Sequence, residues 1–167
     1  MKWESRALFF ITFLLIAASS CLALAGHYYV SSDAGNDSND GSEENPWLTL
    51  THALDWIDAN DPGSSSNAQI IHIAAGTYSP STNGETFPLN MQSWVSLTGN
   101  TPDTTVLDAE GGLHVICCLD VSNLSIENLT LTGGNARGTE SMDQAGGGIF
   151  SESSSLTITN NTTELCI

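Results

Sequence analysis

Acidic side chains are the residues of this chain whose type and spacing most readily suggest chemistry. Asp33, Asp37, Asp40, Glu43 and Glu44 crowd the run SSDAGNDSNDGSEENP. Carboxylates gathered on one loop are oxygen ligands for a hard cation, which makes Asp33, Asp37 and Asp40 candidate calcium ligands. The EF-hand order fails here. With Asn36 at the first position, Asp40 and Gly41 fall correctly, but Trp47 stands where the bidentate Glu belongs. A run rich in Asp, Asn and Ser also folds on itself through Asx-turns without any ion.

A second pair of acids, Asp120 and Glu152, sits at matching places in two similar segments 32 residues apart. On neighbouring strands they would lie about 4.8 Å apart, close enough to perturb each other or to share a cation. The plainer reading is an outward acidic ladder. The histidines His27, His52, His72 and His114 are scattered and read as structural. Without a CxxC or a His/Cys cluster, the sequence offers no zinc site.

These residues need elements to position them, and the clearest element is a repeat. NLSIENLT (Asn123 to Thr130) returns as SLTITNNT (Ser155 to Thr162), setting Leu124 on Leu156, Ile126 on Ile158, Asn128 on Asn160 and Thr130 on Thr162. The same offset carried backwards lays HVICCLDVS over GGGIFSESS and pairs Asp120 with Glu152. Apolar residues alternate up to Asn128, where the phase shifts to Leu129 and Leu131. A strand, an Asn bend and a second strand in each copy describe one coil of a parallel β-solenoid. Asn128 and Asn160 would then stack, with their amides bonding along the solenoid. The rival is a pair of unrelated hairpins in a small sandwich.

Read in order, the chain starts with Lys2 and Arg6, an apolar run from Ala7 to Leu24, and Ala23-Leu24-Ala25. That is the form of a secretory signal peptide over residues 1–25. An uncleaved anchor and a lipoprotein signal ending at Cys21 are the alternatives. The remainder, 26–167, reads as one domain, with a strand, Asx-rich loop and cap helix over 27–62 and coils over 69–163. After cleavage only Arg137 remains of the 3 basic residues, against 18 of the 19 acids once Glu4 is lost. Such a surface repels phosphate backbones and anionic membranes, so nucleic acid and membrane insertion are excluded as partners. Cys117, Cys118 and Cys166 are an odd set and argue against a disulfide framework. Adjacent strand residues point to opposite faces, so one of Cys117 and Cys118 is expected in the core.

Thr49 is a plausible helix N-cap, with Leu50, Ala53, Leu54 and Ile57 on one face and Asp61-Pro62-Gly63 as the stop. One amphipathic helix ahead of a solenoid can cover the open end of its first coil. Ile70 to Ala74 and Thr104 to Asp108 read as strands, Gly76-Thr77-Tyr78 closes the first, and Glu110-Gly111-Gly112 reads as a turn. WVSLTGN (Trp94 to Asn100) echoes the rhythm of LTLTGGN at 129–135, and 133–148 is a Gly-rich excursion holding Arg137, Glu140 and Asp143. No cap follows the last repeat, which reads as a C-terminal truncation. Sequons stand at Asn36, Asn123, Asn128, Asn160 and Asn161, with Asn36 the best exposed acceptor.

The runs YYVSSDAGNDSNDGSEENPWLTLTHAL, IIHIAAGTY, ETFPLNMQSWVSLTGN and TVLDAEGG resemble the front of right-handed parallel β-helix proteins of the pectin-lyase-like superfamily. In particular they resemble a secreted module of unknown function at the start of many such proteins. GGGIFSESSSLTITNNT is similar to the repeats of polymorphic outer-membrane and adhesin-like β-helices. The resemblance implies an all-β right-handed parallel β-helix with one N-terminal capping α-helix, and an extracellular address. It leaves the activity open, because function resides in sites and not in folds.

Three functions follow. The first is a secreted or cell-surface, non-catalytic β-helix that binds extracellular polysaccharide or serves adhesion. The second is the N-terminal part of a polysaccharide lyase or glycosidase. The resemblance implies a Lys or Arg base with calcium for a lyase, and Arg137 is the one candidate. The third is a purely structural surface protein. Calcium is the only cofactor the sequence suggests.

Overall fold

The computed structural model describes residues 25–137 and 146–167. Residues 1–24, where the signal peptide is expected and Cys21 stands, and Glu140 and Asp143 lie outside the described residues. Strands follow in the order β1 (Gly26–Val30), β2 (Gln69–Ile73), β3 (Gly76–Tyr78), β4 (Leu89–Asn90), β5 (Val95–Gly99) and β6 (Thr105–Asp108). Then come β7 (Ile116–Leu119), β8 (Ser122–Glu127), β9 (Thr130–Thr132), β10 (Ile149–Glu152), β11 (Ser155–Thr159) and β12 (Thr162–Glu164). One helix, α1 (Leu50–Asn60), stands between β1 and β2.

β1 and β2 share a sheet; from β2 onward consecutive strands go to different sheets, and each sheet collects every third strand. The sheets run β1-β2-β5-β8-β11, β4-β7-β10 and β3-β6-β9-β12, and the pairs between these strands are parallel. This is a parallel β-helix. Inward side chains pile into columns, as stacked coils require. Ile71, Leu97, Ile126 and Ile158 form one, and Tyr78, Leu107 and Leu131 another. Gln69 faces Val95, Leu97 faces Ile126 and Leu124 faces Leu156, so the offsets along this sheet after β2 are 26, 29 and 32 residues, and coil length is not constant.

Bends between strands use left-handed backbone. Asn128 has φ 60° and Asn160 φ 52°, and Asp120 (53°) is matched by Ser153 (52°). Asn and Asp adopt this region at lower cost than most residues, which explains the phase shift at Asn128. Gly99 answers a different need. A Cβ there would collide with the Asn128 carbonyl of the next coil.

Helix α1 forms as its sequence predicts. The Thr49 hydroxyl accepts from the His52 N–H at 3.1 Å, and Leu50, Ala53, Leu54 and Ile57 are buried. They join one core cluster with Trp47, Ile71 and Leu89, and the helix packs against β1 and β4. A buried carboxylate, Glu85, closes the helix N-terminus, accepting from Leu50 N (2.6 Å), Thr51 N (2.9 Å) and Thr51 Oγ1 (2.6 Å). Free N–H groups and the positive end of the helix dipole make this a favourable place for an anion.

Three sequence expectations need correction. The 32-residue offset holds from Leu124 onwards, but β7 and β10 pair at 33, with Ile116 opposite Ile149. Asn123, at φ 59°, is the additional residue that shifts the register. Glu152 therefore faces Leu119, and Asp120 is not its strand partner. WVSLTGN does not correspond to LTLTGGN either: β5 stacks under β8, in another sheet from β9. Gly76 to Tyr78 is a strand of its own, stacked under β6. Cys117 and Cys118 are both buried, with only Cys118 in the main core cluster.

Candidate binding groove

The Asx-rich loop wraps around Trp47. The Trp47 indole N–H donates to the Asn39 carbonyl at 2.9 Å, and its ring stacks on Tyr28 at 5.3 Å. Gly41, at φ 76°, lets the backbone lie on this ring, where a Cβ would come within 2.6 Å of it. Two of the loop acids, Asp37 and Asp40, serve this fold. Both oxygens of Asp37 are engaged, one by Leu48 N (2.8 Å) and Thr49 N (3.0 Å), the other by Thr49 Oγ1 (3.0 Å). Asp40 accepts from the Ser42 N–H (3.0 Å) and hydroxyl (2.7 Å), an Asx-turn that holds its carboxyl below the usual range. Asp33 is exposed. The structure does not gather Asp33, Asp37 and Asp40 into one set, and among the described residues no three His, Cys, Asp or Glu groups converge on a metal-sized site. Turn chemistry, which uses the same residue types as calcium ligation, accounts for the places of Asp37 and Asp40.

Beside this loop lies a groove of about 590 Å³. One wall is the loop, through Ala34, Glu43 and Pro46; the other follows the C-terminal ends of β1, β2 and β5, from Tyr29 to Asn100. A pocket of this volume is in the range that holds a small molecule or a few sugar units. A smaller cleft beside Thr51 and Pro88 measures about 80 Å³ and is too small for that.

The groove floor comes from the outward face of the five-stranded sheet. Register places Tyr29 over His72, His72 over Thr98, and Thr98 over Glu127. The Tyr29 and His72 rings stack with centroids 4.9 Å apart and planes 24° apart. His27 stacks on the other side of this strip, 5.1 Å from His72 at 11°, with Nδ1 of His27 2.8 Å from Nε2 of His72. A bond between two imidazole nitrogens needs one of them as an acceptor, so the pair disfavours a second proton. Burial pushes the His72 pKa down, the charge of His27 adds to this, and Glu43 opposes both.

The scattered histidines His27 and His72 are thus neighbours. The signal for this was the register between β1 and β2, hidden because the loop and helix between the strands put Gly26 and its partner Gln69 at an offset of 43.

Glu110, Cys118 and Arg137 lie outside the groove lining. Glu110 accepts from Ser79 Oγ (2.7 Å) and from the Ser81 hydroxyl, fastening two coils together; these bonds hold its carboxyl below the usual range. Burial pushes the Cys118 thiol up to about 12, so it is a poor nucleophile at neutral pH. Cys117, Cys118 and Cys166 are free. Arg137 is exposed and lies outside the groove lining. Asn161 is spent on the neighbouring coil, accepting from Leu129 N (2.8 Å) and donating to Ile126 O (2.6 Å). Asn36 and Asn123 are exposed.

The family described as "Protein of unknown function (DUF1565)" matches residues 33–167, which include helix α1 and strands β2 to β12. The chain belongs to that family. No curated protein sequence matches this DUF1565 member. Among solved structures, pectin methylesterase from carrot is similar at 16% identity and a TM-score of 0.48. That similarity covers 81% of this chain and 39% of the esterase chain, so the DUF1565 chain spans about two-fifths of its length.

Proposed function

We propose that this protein is a secreted or cell-surface β-helix that binds an extracellular glycan in the groove without cleaving it. The observation that carries this reading is the Tyr29–His72 ring strip lying in a groove of about 590 Å³. Flat aromatic faces carry partial negative charge and pack well against the C–H faces of pyranose rings, while Ser31, Thr98 and Asn100 offer neutral polar groups for hydroxyls. Glu43 is the only carboxylate in the lining. Glycoside hydrolysis ordinarily needs two such groups across the scissile bond, which supports binding over catalysis.

Incubating the protein with a panel of neutral glycans and polyuronates, with and without calcium, tests this. Retention of a glycan without product, lost in Tyr29→Ala, is the expected result. Unsaturated products absorbing in the ultraviolet would replace the binding reading with a lyase. No retention of any glycan would leave a purely structural role.

A further inference from the structure

We infer that the groove selects uncharged pyranose chains and rejects uronates, an inference that rests on the glycan-binding reading above. Its basis is the charge placed around the ring strip. Glu43 stands in the loop wall, exposed and free to face a ligand. Asp33 is exposed on the same loop between Ser31 and Ala34, both of which line the groove. One step along the outer face from Thr98, its strand partner Glu127 extends the acidic character. Against these acids the lining holds one titratable base, His72, 2.8 Å from His27, and partial burial and the charge of His27 disfavour its cation. Arg137 lies outside the lining.

A ligand carboxylate entering this groove would find no cation to pair with and would give up water to face like charge. An unpaired charge in a partly desolvated site is costly, and like charges at short range add to that cost. A neutral hexose meets none of this. Its hydroxyls match Ser31, Thr98 and Asn100, and its apolar face matches Tyr29 and His72. The rejection is electrostatic, so salt should weaken it.

The test compares affinities of the full chain for a neutral β-glucan or mannan oligosaccharide and for oligogalacturonate of equal length. Calorimetry with EDTA present, at about 20 mM and about 300 mM salt, spans strong and weak screening. The neutral oligosaccharide should bind about tenfold more tightly at low salt, and the ratio should narrow at high salt. Glu43→Lys, an exposed loop substitution, should narrow the ratio at low salt, with melting temperature checking that the fold is kept. Oligogalacturonate binding as tightly as the neutral chain, or a ratio unmoved by both salt and Glu43→Lys, would overturn the selectivity. So would tight oligogalacturonate binding that appears only when calcium replaces EDTA. Failure of both oligosaccharides to bind would instead overturn the glycan-binding reading beneath it.

Discussion

The Asn160 side-chain amide donates to the Asn128 side-chain oxygen at 2.7 Å, across the boundary between two coils. Both residues hold left-handed backbone at the same bend. The pair therefore does two jobs, turning the chain and tying one turn to the next. Substitution separates them. Asn160→Gly keeps the backbone freedom but loses the bond, and should cost about 1 kcal/mol. Asn160→Ala loses the bond and also strains φ, adding about 1–2 kcal/mol. Urea unfolding of the two variants measures the difference, and equal losses would mean the bend carries no backbone demand.

Asp37 gives the second prediction. Its carboxylate accepts from Leu48 N, Thr49 N and Thr49 Oγ1, so it fixes the chain on its way into the helix. Asp37→Ala should lower stability by about 1–2 kcal/mol, as loss of a helix cap does. The loss should be the same in EDTA and in millimolar calcium. A site filled by calcium would instead stabilise the folded chain by mass action, and more in the wild type than in the variant. Melting curves of both proteins under both conditions decide the matter. Calcium-dependent stabilisation of the wild type alone would restore Asp37 as a ligand.

What the sequence revealed depended on how local the signal was. The Leu124–Leu156 and Asn128–Asn160 columns were legible because the two copies match residue for residue. The helix was legible from Thr49 and four apolar residues at helical spacing. Earlier coils were harder to read. Their lengths differ, so WVSLTGN was matched to the wrong strand, and the single residue Asn123 displaced the Asp120–Glu152 pairing. The groove was not legible at all. Its floor joins Tyr29, His72 and Thr98 through a register that spans the whole loop and helix. Of the acids crowded in the loop, Asp37 and Asp40 are engaged in a helix-entry cap and an Asx-turn, since carboxylates satisfy backbone N–H groups as readily as they bind cations.

The third prediction uses one core column at two depths. Ile126 and Ile158 are strand partners on the inward face, but Ile126 is 0% exposed and Ile158 53%. Ile126→Ala removes fully packed methyl groups and should cost about 2–5 kcal/mol. Ile158→Ala removes little buried area and should cost less than about 1 kcal/mol. Chemical denaturation gives both values. A comparable cost at the two positions would show that Ile158 is packed in solution more deeply than its exposure here implies.

The last prediction concerns pH. Four groups face His72: His27 and Tyr29 from β1, Thr98 from β5 and Glu43 from the loop. Burial and the charge of His27 hold its pKa below the ordinary 6.5, with Glu43 pulling the other way. A lowered folded value means the unfolded chain binds more protons in the window just below the ordinary value. Stability contributed by neutral His72 is then complete above that value and drains away as pH falls through it towards the folded pKa. Carboxylates titrate over part of the same range, so the informative quantity is a difference. The stability advantage of wild type over His72→Gln should be constant above about pH 7.5 and shrink between about pH 6.5 and pH 5. An advantage that grows as pH falls would mean that His72 is stabilised as a cation. Glu43, not burial and His27, would then dominate the floor of the groove.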